Sequence, residues 1–241
     1  MTKGIIYYSD CRGDQALLEA ARAQLSRAAG KAMPIVSCTL RPLAFGFNVC
    51  LDMERGHLTM FRQILTALEM STADVIFHCE HDVLYHPSHF NFEPSARDRF
   101  YYNQHTWRVD RETGRALFYY CNQVSGLCAD RQLLIDHYRR LVRHVVAHGF
   151  DRALGYEPGT NRRQREFGAS APVETWMSPQ PNVDIKTEFC LTKGRWSQEQ
   201  FRNKSTCQGW TESDRVPGWG VTLGRMDSFL ADVTSAQQEV A

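Results

Sequence analysis

The order in which two hydrophobic periods alternate along the first third of the chain limits its fold more than any other feature of the sequence. GIIYYSD (Gly4 to Asp10), MPIVSCTL (Met33 to Leu40) and ADVIFHCEHD (Ala73 to Asp82) are short runs rich in β-branched and aromatic residues, as buried strands are. Between them, CRGDQALLEAARAQLSRAAG, stopped by Gly30, and RGHLTMFRQILTALEMS carry apolar residues at helical spacing. In the second helix Leu58, Phe61, Ile64, Leu65 and Leu68 make one face. Strand, helix, strand, helix, strand predicts an α/β fold built on an open, mostly parallel sheet with helices on both faces. The stretch RPLAFGFNVCLD reads as a loop. Ligands of such sheets bind outside the carboxyl ends of the strands. Ser9 and Asp10 end the first strand, and Glu80, His81 and Asp82 end the third, so two polar clusters are expected on one edge.

The rest is less regular. FYYNQHTWRVDRETGRALFYYCNQVSGLCA reads as a hairpin-like pair of strands around RETGRA, and DRQLLIDHYRRLVRHVVAHG as a helix capped by Asp130. From about Phe150 the chain is rich in Gly, Pro, Asn and Arg, with tryptophans at 176, 196, 210 and 219, and it shows no repeat or linker. One domain over residues 1–241 is expected, its loop-rich C-terminal part covering the sheet edge. With 28 basic and 27 acidic residues the molecule is not a polycation, so any basic surface must be local. The eight cysteines form no C-x-x-C pair, which points away from zinc ribbons and disulfide scaffolds. No stretch reaches the roughly 18 apolar residues that span a bilayer, and a cytoplasmic protein without a membrane partner is expected.

Glu80 and Asp82, two apart, would point the same way on a continuing strand. Two carboxylates at a strand end suit a hard divalent cation, Mg²⁺ or Mn²⁺, with positions open for phosphate oxygens. Two other readings stay open. The acids would simply cap the following turn, or zinc would be bound by His78, His81, His86 or His89 with Cys79; the second lacks an i, i+4 histidine pair, and Pro87 interrupts the run.

The strand and helix order, the run FRQILTALEMSTADVIFHCEHDVLYHPSHF and the later Trp-rich segment resemble glycosyltransferases of the GT-A fold, a Rossmann-like architecture. The likeness runs from Gly4 to about Gly220, and the tail NVDIKTEFCLTKGRWSQEQFRNKSTCQGWTESDRVPGWG looks like that of small glycosyltransferase-like proteins of phages and some bacteria. The resemblance implies a nucleotide-sugar-binding half over 1–90 and an acceptor half over 91–241. It implies a metal-dependent hexosyl- or N-acetylhexosaminyl-transferase using a nucleotide sugar, a UDP-sugar first. Asp82 matches the last acid of the family's D-x-D signature, Glu80 the first and His81 the variable middle. Ser9 and Asp10 would meet the base or ribose, and Arg55 or Arg62 the phosphates. The family's further metal ligand, commonly a histidine, has only Asp184 or Glu188 to match it here.

Transfer with inversion needs a carboxylate to take the acceptor's proton. Glu174 in APVETWMSP, beside Trp176, is the first candidate, with Asp184 and Glu157 as competitors. Arg162, Arg163 and Arg165, and Arg195 beside Trp196, combine cations with aromatics as phosphate contact and base stacking require. With the phage-type resemblance this suggests 5-hydroxymethylcytosine or a related base in DNA as acceptor, reached by base flipping, and the host cytoplasm as location if the chain is phage-encoded. The alternatives are a glycan or protein acceptor, a non-catalytic nucleotide or nucleic-acid binding module, and a metal-dependent hydrolase using the histidines.

Overall fold

A computed structural model describes residues 1–191, 193–219 and 226–235. Thr192 and Gly220, both in the Trp-rich tail that carries the resemblance, lie outside them.

The expected strands form β1 (Lys3–Ser9), β2 (Ile35–Thr39) and β4 (Val75–Glu80), and the expected helices form α1 (Gln15–Ala29) and α2 (His57–Met70). An added strand, β3 (Phe47–Cys50), lies in the stretch expected to be a loop. Gly46 turns the chain into it: with φ 60° it lies so close to β2 that a Cβ would sit 2.3 Å from the Ile35 carbonyl oxygen. β5 (Val83–Leu84), β6 (Phe100–Asn103), β7 (Thr106–Asp110), β8 (Ala116–Phe118) and β9 (Leu127–Asp130) follow. After α3 (Arg131–His148) and α4 (Arg162–Phe167) come β10 (Val173–Trp176), β11 (Asn182–Lys186), β12 (Thr211–Ser213) and α5 (Met226–Ser235). The Asp130 carboxylate accepts from the amides of Gln132 and Leu133, capping α3 as its sequence predicts.

Two sheets result. The larger has strand order β10-β6-β9-β4-β1-β2-β3, with every neighbouring pair parallel except the two made by β9. The smaller has order β12-β8-β7-β11-β5. The expected hairpin is β7–β8, while β6 and β9 on either side of it belong to the large sheet.

β1 alternates its side chains between two apolar layers. Ile6 and Tyr8 pack with Phe61, Ile64 and Leu68 of α2 and with Leu134, Tyr138 and Leu141 of α3. Ile5 and Tyr7 pack on the other face with Leu25 and Ala28 of α1. Burial on both faces is why this strand reads as a continuous apolar run rather than an alternating one. A further face of α1, with Leu17, Ala20 and Ala21, meets Trp107, Val183 and Ile185 of the small sheet and Phe229 and Leu230 of α5. Each Leu, Val, Ile or Phe among them contributes roughly 1.5–3 kcal/mol on full burial, so α1 fixes one sheet against the other. No described helix is long and apolar enough to cross a membrane.

Candidate active site

Strand order reverses between β1 and β4: β2 and β3 lie to one side of β1, and β4 lies to the other. Helices leaving on opposite faces open a crevice at such a point, outside the carboxyl ends of the strands. Ser9 ends β1 and Glu80 ends β4, so both polar clusters flank it. Gln63 of α2, 3% exposed, holds the strand ends in place by donating from Nε2 to the carbonyl oxygens of Ser9 at 2.7 Å and Cys38 at 3.0 Å.

On the β1 side, Ser9, Asp10, Arg55 and His81 come together. The Ser9 hydroxyl lies 2.6 Å from His81 Nδ1 and accepts from the Cys11 amide at 2.9 Å. Cys11 holds a left-handed φ of 57°, a conformation that costs a non-glycine residue of order 1–3 kcal/mol and gathers at functional loops. Asp10 accepts from the Arg12 amide at 3.0 Å and pairs with Arg55, whose guanidinium also donates to the Phe189 carbonyl. Arg55 thereby ties the β1 loop to the 187–191 turn. Arg62 instead reaches the Met53 thioether at 3.8 Å.

On the β4 side the strand does not continue through Asp82. It stops at Glu80, turns at His81 and Asp82, and enters β5 in the other sheet, where the Asp82 carbonyl accepts from the Ile185 amide at 2.9 Å. The strand alternation that would have aimed Glu80 and Asp82 together therefore ends at Glu80, and the two acids take different partners. Glu80 Oε1 accepts from the hydroxyl of Tyr8, its register neighbour, at 2.8 Å. Burial, then the charge of Asp82, pushes the Glu80 carboxyl up to about 7. Asp82 Oδ2 accepts from the Cys190 thiol at 3.2 Å.

Asp184, 1% exposed on β11, adds a third acid. Its Oδ2 accepts from Lys186 Nζ and Gln123 Nε2, each at 2.8 Å, while Oδ1 is buried without a partner. No group of three or more His, Cys, Asp or Glu side chains among the described residues is arranged to hold a metal. A hard ion that takes most of its ligands from phosphate and water needs only one or two carboxylates. Asp82 and the unpartnered Asp184 oxygen fit that requirement, and Glu80, bonded to Tyr8 through Oε1, keeps its second oxygen outside that bond.

The histidines of the same stretch are dispersed. His78 is fully buried and stacks on Tyr138, with neither ring nitrogen partnered. His86 caps the next turn through the Ser88 amide, and His89 is buried against Asn103 and Asn182.

A cavity of about 40 Å³ adjoins the crevice, lined by Tyr8, Glu80, Tyr138, Tyr156 and Pro158 among others. Glu157 lies in the same chain segment as two of these; burial raises its carboxyl, and burial, then the charges of Glu80 and Glu157, raise the Tyr138 hydroxyl. Glu174 is elsewhere: it sits on the outermost strand β10, three strands from β4, 43% exposed and ion-paired with Arg99.

Arg162, Arg163 and Arg165 are exposed on or beside α4, with Arg163 bonded to Asp151 and Arg165 to the Gly159 carbonyl. Trp176 is stacked on Phe92 with ring centroids 4.0 Å apart and its indole nitrogen buried without a partner. Arg195 lies over Phe201, and Trp196 packs against the cluster of Leu117, Tyr119, Phe201 and Cys207. Trp176 and Trp196 are thus engaged in packing rather than displayed for a base.

Sequence reasoning missed Tyr8, Gln63, Gln123, Lys186 and Cys190. Only Lys186 had a signal, since it stands two residues after Asp184 on a strand and so shares its face.

No family model matches the sequence, and no curated protein matches it. Solved structures of similar shape include a glycosyltransferase involved in the glycosylation of the major capsid of PBCV-1, 7% identical over 73% of this chain and 82% of that one, with a TM-score of 0.46. A glycosyltransferase of Streptococcus pneumoniae, GlyE, is 9% identical over 73% of this chain, which spans 45% of its length, with a TM-score of 0.41. A Drosophila β1,4-galactosyltransferase 7 mutant in complex with manganese, UDP-Gal and xylobiose is 14% identical over 83% of this chain and 79% of that one, with a TM-score of 0.43. At identities and scores this low, the likeness carries no argument about what the chain does.

Proposed function

We propose that the chain is a glycosyltransferase that takes a sugar from a nucleoside diphosphate donor, a UDP-sugar first, to a hydroxyl acceptor. The observation that carries this reading is the convergence of Ser9, Asp10, Arg55, His81, Asp82, Asp184 and Lys186 on the point where strand order reverses. A hydrogen-bonding acid and hydroxyl lie on one side, for a ribose or base, and carboxylates with an ammonium on the other, for a charged leaving group. The single domain, with its donor half over 1–90 and acceptor half over 91–241, belongs to the same proposal.

In this reading Asp82 and Asp184 would hold a divalent ion, Mg²⁺ or Mn²⁺. When bound, such an ion compensates the charge that grows on the departing diphosphate. Glu157 takes the proton from the acceptor hydroxyl as that oxygen bonds to the anomeric carbon. The bond from that carbon to the diphosphate oxygen breaks, and its electron pair leaves with the diphosphate. Burial that raises a carboxyl toward neutrality makes it a better base at physiological pH, which favours Glu157 over the ion-paired Glu174 and over Asp184 with its lysine.

Incubation with a pool of nucleotide sugars, Mn²⁺ or Mg²⁺, and acceptors that include glycans and 5-hydroxymethylcytosine DNA is the test, read by mass spectrometry. A hexose or N-acetylhexosamine adduct is expected on one acceptor, and its identity decides between DNA and a glycan or protein. Asp82→Ala should lower turnover by two orders of magnitude or more, about the size seen when a transition-state contact is removed. An absence of both transfer and donor hydrolysis in the unaltered protein would overturn the reading in favour of a binding module.

A further inference from the structure

Lys186 supplies the ammonium on the leaving-group side of the site, and its position makes that role specific. It is the last residue of β11, where its backbone is fixed by pairing with Asp110 of β7 and by the Arg111 amide, which donates to its carbonyl. Its ammonium donates to Asp184 Oδ2 at 2.8 Å, and Gln123 holds the same oxygen from another direction. An ammonium carries three donors. Among the described residues Asp184 takes one, and the side chain keeps 18% of its surface exposed, so the others stay accessible from solvent.

An ion pair made to a carboxylate as buried as Asp184 is a poor way to stabilise a fold, because desolvation offsets most of the attraction. The chain keeps a lysine one residue beyond the place where β11 docks on the turn that carries Asp82, at the carboxyl end of β4. A mobile point charge with spare donors at that place suits phosphate oxygens.

We propose that Lys186 is the protein's own cation for the donor's diphosphate, oriented by Asp184 and Gln123, so that diphosphate binding has a component independent of any divalent ion. The inference rests on the glycosyltransferase reading. Asp184 is then a positioning residue for Lys186 as well as an oxygen donor.

Calorimetric titration with uridine diphosphate and with inorganic pyrophosphate, in a chelator and in Mn²⁺, separates the possibilities. The unaltered protein should bind both probes in chelator. Lys186→Met should weaken that binding by about tenfold to a hundredfold, the range for one hydrogen bond to a charged group, and Lys186→Arg should restore most of it. Lys186→Gln, which keeps a donor to Asp184, should show the same loss as methionine and serves if the methionine variant does not fold. Binding by the unaltered protein that needs Mn²⁺ entirely, or Lys186 variants that bind as tightly as it does, overturns the inference and leaves the glycosyltransferase reading standing. If the unaltered protein binds neither probe with or without Mn²⁺, both fail together.

Discussion

His78 shows how far a residue's role departs from its chemical reputation. In the sequence it stands beside Cys79, Glu80 and His81 and invites a metal. In the fold its ring is sealed between the sheet and Tyr138, its nitrogens unpartnered and its pKa pushed down to about 3 by burial. An unpaired buried polar atom costs about 1–3 kcal/mol, and replacing it by an apolar group of similar volume recovers that cost. His78→Leu is therefore expected to raise the unfolding free energy by about 1–3 kcal/mol in a urea titration at pH 7. Lower stability in the variant would show that the ring has a partner after all. Glu80 teaches a similar lesson: its spacing from Asp82 was legible, but the point at which β4 stops was not. That one-residue difference gives the two acids separate hydrogen-bond partners, Tyr8 and Cys190.

At the scale of elements, β1, α1, β2, α2 and β4 were legible because each is buried along a face whose period is written in its apolar residues. β3 was not, because it is an edge strand with Phe47 exposed and no apolar run to mark it. β6 and β9 escaped for another reason: they flank a true hairpin in sequence but pair with distant strands, and long-range pairing leaves little local trace. Gln63 escaped because a glutamine on a helix reads as a surface residue. Its amide holds α2 onto the ends of β1 and β2, so Gln63→Leu should take this donor from two carbonyls, of which that of Ser9 keeps the Leu40 amide at 3.3 Å. A loss of about 1–3 kcal/mol is expected by urea denaturation, from the cost of an unsatisfied buried group, together with weaker donor binding as Ser9 loses its anchor. A loss of stability with unchanged donor affinity would remove Gln63 from the site while keeping it in the fold.

For the whole molecule, three fully buried histidines, His78, His89 and His137, each held near a pKa of about 3, set the response to acid. Unfolded, they titrate near 6.5, so between those values the unfolded chain binds more protons and stability falls as pH falls. Each contributes a slope of up to about 1.4 kcal/mol per pH unit. Glu80, raised to about 7, works the other way between 7 and 4.5, where the folded state holds the extra proton. Three imidazoles outweigh one carboxyl, and the urea midpoint should drop steeply from pH 7 to pH 4.5. A flat profile over that range would mean that the imidazoles are not sealed from water.

The candidate site draws on residues far apart along the chain. Cys190 meets Asp82 across 108 residues, and Arg55 meets Phe189 across 134. Closing such loops is entropically late work for a folding chain. During synthesis the first two-thirds can assemble β1 to β4 with α1, α2 and α3, yet one wall of the crevice arrives only with β11. A truncated product would be compact and inert, and the appearance of donor binding during refolding would time the last docking event rather than the first.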